Sequence, residues 1–259
     1  MPRLPLSLSI VSMNEETNLR RCLNSAADLA AEIVVVDSGS TDKTLEVARE
    51  FGAHVHHQPW LGHRDQKQVA LDHCTQPWVL VMDCDEELSP ELRHSIEQFF
   101  AGDETSRADG AFMNRRTWFL GTWIRHGDWY PDRKLRLFRR DKAKTGGAPE
   151  HDKFEMAAGS STVPLSGDLL HYSFRDISHY LNKQVQFTEE FLKRERKAGR
   201  SFSLFNALTR PLWRFFRAYV LRLGVLDGFA GLWIAAATAF FAFVRYSRTF
   251  EEQAARPAA

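Results

Sequence analysis

The sequence has few cysteines and no large excess of charge of either sign. Only three of its 259 residues are cysteine, at Cys22, Cys74 and Cys84, an odd number with wide spacing. This pattern argues against a disulfide framework and against a zinc site, and it fits a reducing cytosolic compartment. The formal net charge is only +1, so the composition predicts no nucleic-acid partner, and any charged ligand must meet a local patch.

Several sequence motifs are also absent. The N-terminal residues lack a long apolar segment with a small-residue cleavage site, which argues against secretion. No G-x-G-x-x-G follows the first apolar stretch and no G-x-x-x-x-G-K-[ST] occurs, which argues against a dinucleotide-binding Rossmann domain and a P-loop NTPase. No G-x-S-x-G is present either, so nothing indicates a serine nucleophile of the hydrolase type.

The first part of the chain instead contains a regular alternation of apolar stretches and helical periodicity. Strands separated by helices of this length predict an α/β fold with a mostly parallel sheet and helices on both faces. The solidly apolar strands are typical of buried parallel strands. The predicted strands are residues 6–13, 32–40, 53–58 and 78–83, and the predicted helices are residues 15–30, 42–52 and 64–74.

Polar and acidic residues follow the predicted strands where a parallel sheet binds its ligands. Asn14, Glu15 and Glu16 follow the first strand, and the second strand ends in "DSGSTD" (37–42). The fourth strand ends in the most acidic stretch, with Asp83, Asp85, Glu86 and Glu87 in close succession. Such carboxylates repel one another unless a cation compensates them, and Mg²⁺ or Mn²⁺ shared with substrate phosphates is the obvious candidate.

These stretches together resemble a known family. "SIVSMNEETNLRRCLNS", "IVVVDSGSTDKT" and "VMDCDEELSP" are similar to the inverting nucleotide-sugar glycosyltransferases of GT-A fold, the large glycosyl transferase family 2 group. "WLGHRDQKQVAL", "WYPDRKLRLFRR", "LLHYSF" and the pair His151-Asp152 narrow the resemblance to the lipopolysaccharide-core β-glucosyltransferase-like branch. The resemblance covers roughly residues 6–200 and implies a GT-A type, Rossmann-like sheet.

The resemblance also implies roles for individual residues. Asp37 would contact the nucleoside of the donor, and Asp83 would contact its ribose or the metal. Asp85 would hold a Mg or Mn ion that bridges the diphosphate. Apart from the resemblance, His171 is open to three roles: a packed core histidine, a third metal ligand or a phosphate contact. The remaining predicted substrate-binding residues are Asn14, Glu16, Ser40, Gln66, Lys67 and Arg136.

Sugar transfer with inversion needs a base for the acceptor hydroxyl and a cation for the leaving diphosphate. The resemblance makes Asp152 the candidate catalytic base, although the branch often has Glu at that position. The same stretch, "APEHDKFEM", also offers Glu150 and Glu155. The base therefore remains open among neighbouring carboxylates.

Structural roles compete with functional ones at several of these sites. Asp37 is also a suitable cap for the turn that follows it. His54, His56 and His57 alternate as in a strand, which favours a structural role. Arg133, Lys134, Arg139 and Arg140 are either surface charge or phosphate ligands. The aromatic run 118–130 is either protein core or a wall for a sugar acceptor.

The C-terminal region differs in character from the rest of the chain. We predict a glycosyltransferase domain over 1–185 and a helical region over 186–259. Within that region, 210–223 predicts a basic amphipathic helix and 228–244 predicts an apolar helix near the lower length limit for crossing a bilayer. A shallow, membrane-associating helical hairpin is favoured over a full span. The alternative is a helical pair that packs in the fold or forms a homodimer.

The sequence thus predicts a metal-dependent inverting glycosyltransferase. By resemblance, the donor would be UDP-glucose or another nucleotide-diphosphate sugar, and the acceptor a lipid-linked glycan such as the lipopolysaccharide core. The protein would be cytoplasmic, peripheral at the anionic inner face of the cytoplasmic membrane. A nucleotide-sugar-binding protein or a nucleotidyltransferase remains the alternative, although "SMNEETN" stands where a nucleotidyltransferase would carry a basic, glycine-rich loop.

Overall fold

The computed structural model describes residues 2–147 and 153–255. The chain divides into two compact units: the sheet unit, Met1–Arg115 and Asp132–His171, and the helical unit, Arg116–Pro131 and Tyr172–Ala259. The elements in chain order are β1 (Leu4–Ser12), α1 (Glu16–Ala26), β2 (Ala30–Asp37), α2 (Thr44–Glu50), β3 (His54–His57), α3 (His63–His73), β4 (Trp78–Asp83), β5 (Glu86–Leu88), α4 (Pro90–Ala101), α5 (Glu104–Arg107), β6 (Gly110–Phe119), β7 (Thr122–Trp123), β8 (Asp132–Arg139), β9 (Ala143–Gly146), β10 (Lys153–Met156), β11 (Thr162–His171), α6 (Ile177–Lys197), α7 (Leu204–Phe216) and α8 (Gly228–Ala254).

The sheet unit has one large sheet with the strand order β3-β2-β1-β4-β8-β6-β11-β5. The four strands β1 to β4 are parallel, whereas β8 runs antiparallel to both β4 and β6. Every strand and helix predicted for the first 83 residues is present, and the predicted α/β fold class is confirmed. The antiparallel half of the sheet, which follows β4, makes the whole sheet mixed.

Two apolar layers hold the sheet unit together, one on each face of the sheet. On one face, side chains such as Leu8 and Met82 pack against Leu23 of α1 and Leu92 of α4. On the other face, strand residues such as Val79 and Val81 pack with Leu71 of α3. Each such side chain contributes about 1.5 to 3 kcal/mol when fully buried, so the two layers fix which strand ends meet at the edge of the sheet.

The helical unit has an aromatic core of its own. Phe119 lies between Trp129 and Trp233, with ring centroids 5.3 and 5.2 Å away, and Tyr180 contacts Trp233 at 5.0 Å. Phe241 completes this cluster from α8. Much of the aromatic run 118–130 is therefore core, whereas Trp118 and Trp123 are only half-buried.

The division into units differs from the predicted boundary after residue 185. That position lies inside α6, and the helical unit begins at Tyr172 and also contains Arg116–Pro131. The change in composition near 185 marks where the surface becomes basic, whereas the division follows the core that Phe119 and Tyr180 share. That residues 1–185 form the glycosyltransferase domain and residues 186–259 a separate helical region stays a prediction.

The two predicted C-terminal helices are present with different limits. The helix predicted at 210–223 begins at Leu204, where Ser203 Oγ accepts the N–H of Asn206, and gives way to a π-helical turn at Arg217–Leu221. The apolar helix extends to Ala254. By length and composition alone, the stretch Gly224–Ala254 could cross a membrane, and 33% of its most apolar window is buried.

Candidate functional site

The carboxyl ends of β1, β2 and β4 meet at one edge of the sheet unit. β1 lies between β2 and β4, and the parallel register pairs Ser12 with Asp37 on one side and Val11 with Asp83 on the other. The two predicted aspartates therefore flank the end of β1 at nearly the same height. Open α/β sheets bind their ligands at this edge, in the crevice outside the strand ends.

The carboxylate of Asp37 is enclosed by donors from its own loop. Oδ1 accepts the backbone N–H groups of Gly39 and Ser40 at 2.9 and 2.8 Å, and Oδ2 accepts the hydroxyls of Ser12 and Ser40. Burial by itself would raise the pKa of Asp37, but these hydrogen bonds, led by those from Ser40, lower the pKa below its usual value. Asp37 thus caps the turn at Gly39 and Ser40 that follows it.

Asp37 also lines a cleft beside β3. The cleft has a volume of about 410 Å³, which is in the range of small-molecule sites, and Ser40, Arg49 and His57 contribute to its walls. Gly39 makes the tight loop possible, because its φ of +106° lies in a region that L side chains rarely adopt. The site is therefore formed by a loop whose shape Asp37 itself stabilises.

Asn14 and Ser40 connect the loops that follow β1 and β2. The N–H of Asn14 donates to Ser40 Oγ at 2.8 Å, and Asn14 Oδ1 accepts the N–H of Thr41 at 2.8 Å. Glu16 begins α1, and its N–H donates to Asp42 Oδ2 at 3.2 Å. These bonds order the two loops at the edge of the sheet, and contact of Asn14, Glu16 or Ser40 with a substrate stays a prediction.

Gln66 and Lys67 are adjacent on α3, and both are buried. Gln66 Nε2 donates to Ser38 Oγ and to the carbonyl of Gln58, each at 3.0 Å, so its amide joins two loops. Lys67 Nζ lies 2.7 Å from Asp83 Oδ1. The pair predicted near the donor thus divides into a residue that orders loops and a residue that supplies positive charge.

Asp83 is compensated by cations of the protein itself. Arg136 Nη2 donates to Asp83 Oδ2 at 2.6 Å and to Glu86 Oε1 at 2.7 Å, while Lys67 contacts the other oxygen of Asp83. Arg115 approaches Glu86 at 3.6 Å. Burial opposes ionisation, but Arg136 and Lys67 hold the pKa of Asp83 well below its usual range. Two of the four clustered acids are thus stabilised without a metal.

Asp85 has a different partner. Its Oδ2 lies 3.3 Å from Nε2 of His171, at the end of β11. The other ring nitrogen of His171, Nδ1, is buried and has no hydrogen-bond partner in the described part of the chain. The structure therefore brings together two of the three predicted metal ligands, whereas Asp83 faces Lys67 and Arg136.

The described ranges contain no group of three or more His, Cys, Asp or Glu side chains placed to hold a metal. Asp85 and His171 would supply one carboxylate and one imidazole, and the remaining ligands would have to be substrate oxygens and water. Magnesium is commonly held in this way, by one or two carboxylates and substrate phosphates. The two side chains therefore fit a divalent cation that is bound together with a diphosphate.

A cleft with many cations opens beside Asp83. Its volume is about 510 Å³, and Phe112, Leu135 and Phe154 form its apolar walls. Lys67 and Arg136 were predicted from the sequence, whereas Arg115 and Lys153 were not. The charged pair "RR" (115–116) within an apolar stretch is the signal that indicates Arg115. The cations that line the cleft are Lys67, Arg115, Arg133, Lys134, Arg136 and Lys153.

The predicted base, Asp152, and its alternative Glu150 lie outside the described residues. The third carboxylate of that stretch, Glu155, is on β10 and pairs with Lys153 at 2.9 Å. The hydrogen bond from Lys153 lowers the pKa of Glu155, which makes this carboxylate a weaker base. The pairing with Lys153 thus argues against Glu155 as the base.

Two further residues singled out in the sequence, His56 and Arg139, contact side chains of the sheet unit itself. His56 stacks on His73 with a centroid distance of 3.7 Å, and burial lowers its pKa. Arg139 is half exposed and pairs with Asp141 at 3.4 Å. All three cysteines are free and buried.

Comparison with known proteins identifies the class to which this fold and site belong. The family model for glycosyl transferase family 2 matches residues 7–159, which include most of β1, all of β2 to β4 and the acidic stretch after β4. The chain therefore belongs to glycosyl transferase family 2, and it is a glycosyltransferase. Membership sets aside the alternative of a binding protein or a nucleotidyltransferase.

Two relatives are similar over almost the whole chain. An uncharacterized glycosyltransferase of Rickettsia typhi is 31% identical over 253 residues, which cover 95% of this chain and 87% of the relative. The lipopolysaccharide core biosynthesis glycosyltransferase LpsC of Rhizobium meliloti is 29% identical, with 99% of this chain and 97% of the relative covered.

Solved structures resemble the chain more weakly. TarS 1–349 of S. aureus is 15% identical with a TM-score of 0.46, and the match covers 96% of this chain and 91% of that one. Glucosyl-3-phosphoglycerate synthase from Mycobacterium tuberculosis, solved with Mn²⁺ and UDP-glucose, is 16% identical with a TM-score of 0.41. The match covers 71% of this chain and 77% of the synthase chain.

Proposed function

We propose that this protein is a metal-dependent, inverting glycosyltransferase that moves a hexose from a nucleotide-diphosphate sugar to a lipid-linked glycan. The observation that carries the proposal is the register that sets Asp37 and the Asp83–Asp85 stretch on either side of the end of β1. One ligand with a nucleoside at one end and a diphosphate at the other matches that arrangement.

The donor would lie along this edge of the sheet. Asp37 and Ser40 would contact the nucleoside from the cleft of about 410 Å³, with Asn14 and Glu16 at its rim. Asp83, held by Lys67 and Arg136, would accept a hydroxyl of the ribose, because neither cation occupies every lone pair of the carboxylate. We propose UDP-glucose as the donor on the basis of the resemblance to β-glucosyltransferases.

Asp85 and His171 are the residues that would hold the divalent cation. They lie 3.3 Å apart, close enough to share one ion, and they are the oxygen and nitrogen donors that manganese accepts. When bound, the cation would neutralise the charge that develops on the leaving diphosphate. Lys67 and Arg136 would add fixed positive charge beside the same group.

Transfer with inversion is a single displacement at the anomeric carbon. Asp152 would take the proton of the acceptor hydroxyl as the new glycosidic bond forms and the bond to the diphosphate breaks. Each proton and electron pair then has a destination, with no covalent enzyme intermediate. Glu150, two positions earlier, is the alternative base.

A lipid-linked acceptor requires that the enzyme work at a membrane. Exposed apolar side chains concentrate on α7 and the start of α8, where Phe205 is 74%, Leu212 72% and Phe229 70% exposed. We propose that this apolar surface lies shallowly in the cytoplasmic face of the cytoplasmic membrane. LpsC is named for lipopolysaccharide core biosynthesis, and the core is the acceptor that we propose for this chain.

The other occupant considered for this surface is a second copy of the chain. A homodimer through α7 and α8 would bury the same side chains without lipid. Light scattering in dilute detergent-free buffer and vesicle flotation distinguish a homodimer from membrane binding. A homodimer would form without vesicles, whereas a membrane-binding surface would float with them.

The substitution Asp85→Asn tests the proposed chemistry. It keeps the shape of the side chain and removes the charge that would hold the cation, so turnover of UDP-glucose should fall by about a hundredfold or more. Glu91→Gln, an exposed carboxylate at the start of α4, is the matched control and should retain activity. Wild-type turnover with unchanged Mn²⁺ dependence in Asp85→Asn would disprove the metal assignment.

A further inference from the structure

The helical unit contains a cavity whose walls carry five arginines. Its volume is about 460 Å³, and Phe191, Ala242 and Tyr246 supply the apolar part of its surface. One carboxylate, Glu195, contributes to the same lining. The arginines are Arg194, Arg200, Arg210, Arg214 and Arg245, from α6, α7, α8 and the segment between α6 and α7. We call this cavity the arginine cavity.

Most of this positive charge has no counterpart in the protein. Glu195 pairs with Arg200 at 3.1 Å, which uses the one carboxylate of the lining. Within residues 2–147 and 153–255, no carboxylate lies within ion-pair distance of Arg194, Arg214 or Arg245. Other arginines of the helical unit are paired, as Arg217 is with Asp128 at 2.6 Å and Arg248 with Glu189 at 2.9 Å. Arg210 donates only to the neutral amide oxygen of Asn206, so four of the five guanidinium charges have no paired carboxylate in the described residues.

Arg245 shows the electrostatic consequence. Burial, followed by the charges of Arg214 and Arg194, lowers the pKa of its guanidinium. The group lies over the ring of Phe191 at 5.8 Å, and its Nε is buried without a hydrogen-bond partner in the described residues. A buried donor that lacks an acceptor costs free energy, and an anion in the cavity would compensate the charge of this guanidinium.

The chemistry of the lining selects phosphate among possible anions. A guanidinium donates from a planar fork that matches two oxygens of a phosphate, and several guanidiniums can surround one group. The aromatic and alanine surfaces beside them suit the apolar part of a lipid. The same helices that supply Arg210, Arg214 and Arg245 also carry exposed apolar side chains, among them Leu212 and Phe243.

We propose that the arginine cavity binds the phosphate of an anionic phospholipid head group. Basic pockets between apolar helices at the cytoplasmic side of a membrane bind such head groups. The inference rests on the proposed membrane association for the source of the phosphate, and it is independent of the transfer chemistry. It assigns α7 and α8 a specific ligand in addition to a shallow apolar contact.

Native mass spectrometry of the full chain with phosphatidylglycerol, and with phosphatidylcholine as the neutral lipid, tests the proposal. The wild type should carry one bound phosphatidylglycerol and no phosphatidylcholine. The double variant Arg214→Gln/Arg245→Gln should lose it, with affinity roughly thirtyfold weaker for two basic contacts. Lys193→Gln/Lys197→Gln removes the same charge from α6 outside the cavity, and it should retain the bound lipid.

A second cavity variant and a titration with inorganic phosphate complete the test. Arg194→Gln/Arg210→Gln changes two exposed side chains, so it should lose the lipid without loss of fold as measured by circular dichroism. Titration with inorganic phosphate identifies the source: we expect much weaker binding than that of the lipid. Retention of the lipid in both cavity variants, equal loss in the lysine control, or tight inorganic phosphate without any lipid would each overturn the proposal. Turnover of a soluble acceptor reports separately on the proposed transferase activity.

Discussion

The sheet unit and the helical unit each gather a cluster of charged side chains, and the two clusters differ in how far the protein compensates their charge. In the sheet unit, Asp83 and Glu86 are buried or half-buried acids that share Arg136, with Lys67 on the other oxygen of Asp83. In the helical unit, arginines converge on a cavity where the one lining carboxylate is already paired. The first cluster is complete within the protein, whereas the second has unsatisfied charge.

This difference indicates what each cluster does. A buried carboxylate that has its own cations is rigid before any ligand arrives, and a preorganised site needs little rearrangement when substrate binds. An uncompensated cluster of guanidiniums is destabilising by itself and gains from an external anion. The sheet unit therefore presents a preformed polar site, and the helical unit presents a site that a ligand completes.

The largest expected effect comes from breaking the compensation in the sheet unit. Arg136→Met keeps most of the side-chain volume but leaves Asp83 and Glu86 without their shared cation. We expect a loss of about 3 to 5 kcal/mol in the free energy of unfolding, measured by urea denaturation. Arg139→Met, on the same strand but half exposed, should change stability by less than about 0.5 kcal/mol. Equal effects in the two variants would show that the pairing around Asp83 does not contribute.

The next effect concerns catalysis in the sheet unit rather than its stability. Asp152→Asn should lower kcat about a hundredfold, or ~2.7 kcal/mol in activation free energy, because the acceptor proton then has no base. Donor binding, measured by calorimetric titration of the nucleotide sugar, should stay near that of the wild type. Full activity in Asp152→Asn together with inactivity in Glu150→Gln would move the base to Glu150.

A smaller effect should come from the exposed surface of the helical unit. Phe205→Ser/Leu212→Ser removes two side chains that are 74% and 72% exposed. Shallow insertion of the pair would contribute about 2 kcal/mol, so flotation with anionic vesicles at high salt should decrease by roughly thirtyfold in affinity. Leu181→Ser/Val185→Ser on α6 is the control. Unchanged flotation would favour an interface between two copies of the chain.

Point substitutions suit this test better than removal of the last helices. Ile234 and Phe241 of α8 pack with Phe119 and Tyr180 in the core of the helical unit. A chain cut after about residue 205 would lack that packing, so its behaviour would report on folding as well as on membrane binding.

The smallest expected effect concerns Asp37, the other acid at this edge of the sheet, and the way its contribution to stability depends on pH. The pKa of Asp37 in the folded protein is below its ordinary value of 3.8, so its stabilisation is complete at neutral pH and is lost as pH falls through that region. Asp37→Asn should be less stable by about 1 to 2 kcal/mol at pH 7. The difference between the two proteins should shrink toward pH 2, and a difference that grows in acid would contradict this assignment.

Local patterns in the sequence predicted much of the sheet unit. Strands β1 to β4 were predicted because a strand that is buried on both faces appears in the sequence as a continuous apolar run. The helices between them were predicted because apolar residues recur on one face of an amphipathic helix about once per turn. The end of α1 differed, since Leu29 already bonds to the backbone of Leu4 and Ala30 begins β2. The long antiparallel strands β6 and β8 were not predicted, because charged residues such as Arg115 and Arg136 interrupt their apolar pattern.

The sequence by itself determined the class of fold and the edge of the sheet where Asp37, Asp83 and Asp85 gather, since both follow from strand periodicity and parallel connections. Only the tertiary structure decided their partners. Arg136 reaches Asp83 across 53 residues of sequence, and His171 reaches Asp85 through the pairing of β11 with β5. Charge compensation depends on distances of a few ångströms between chain-distant residues, and packing alone sets those distances.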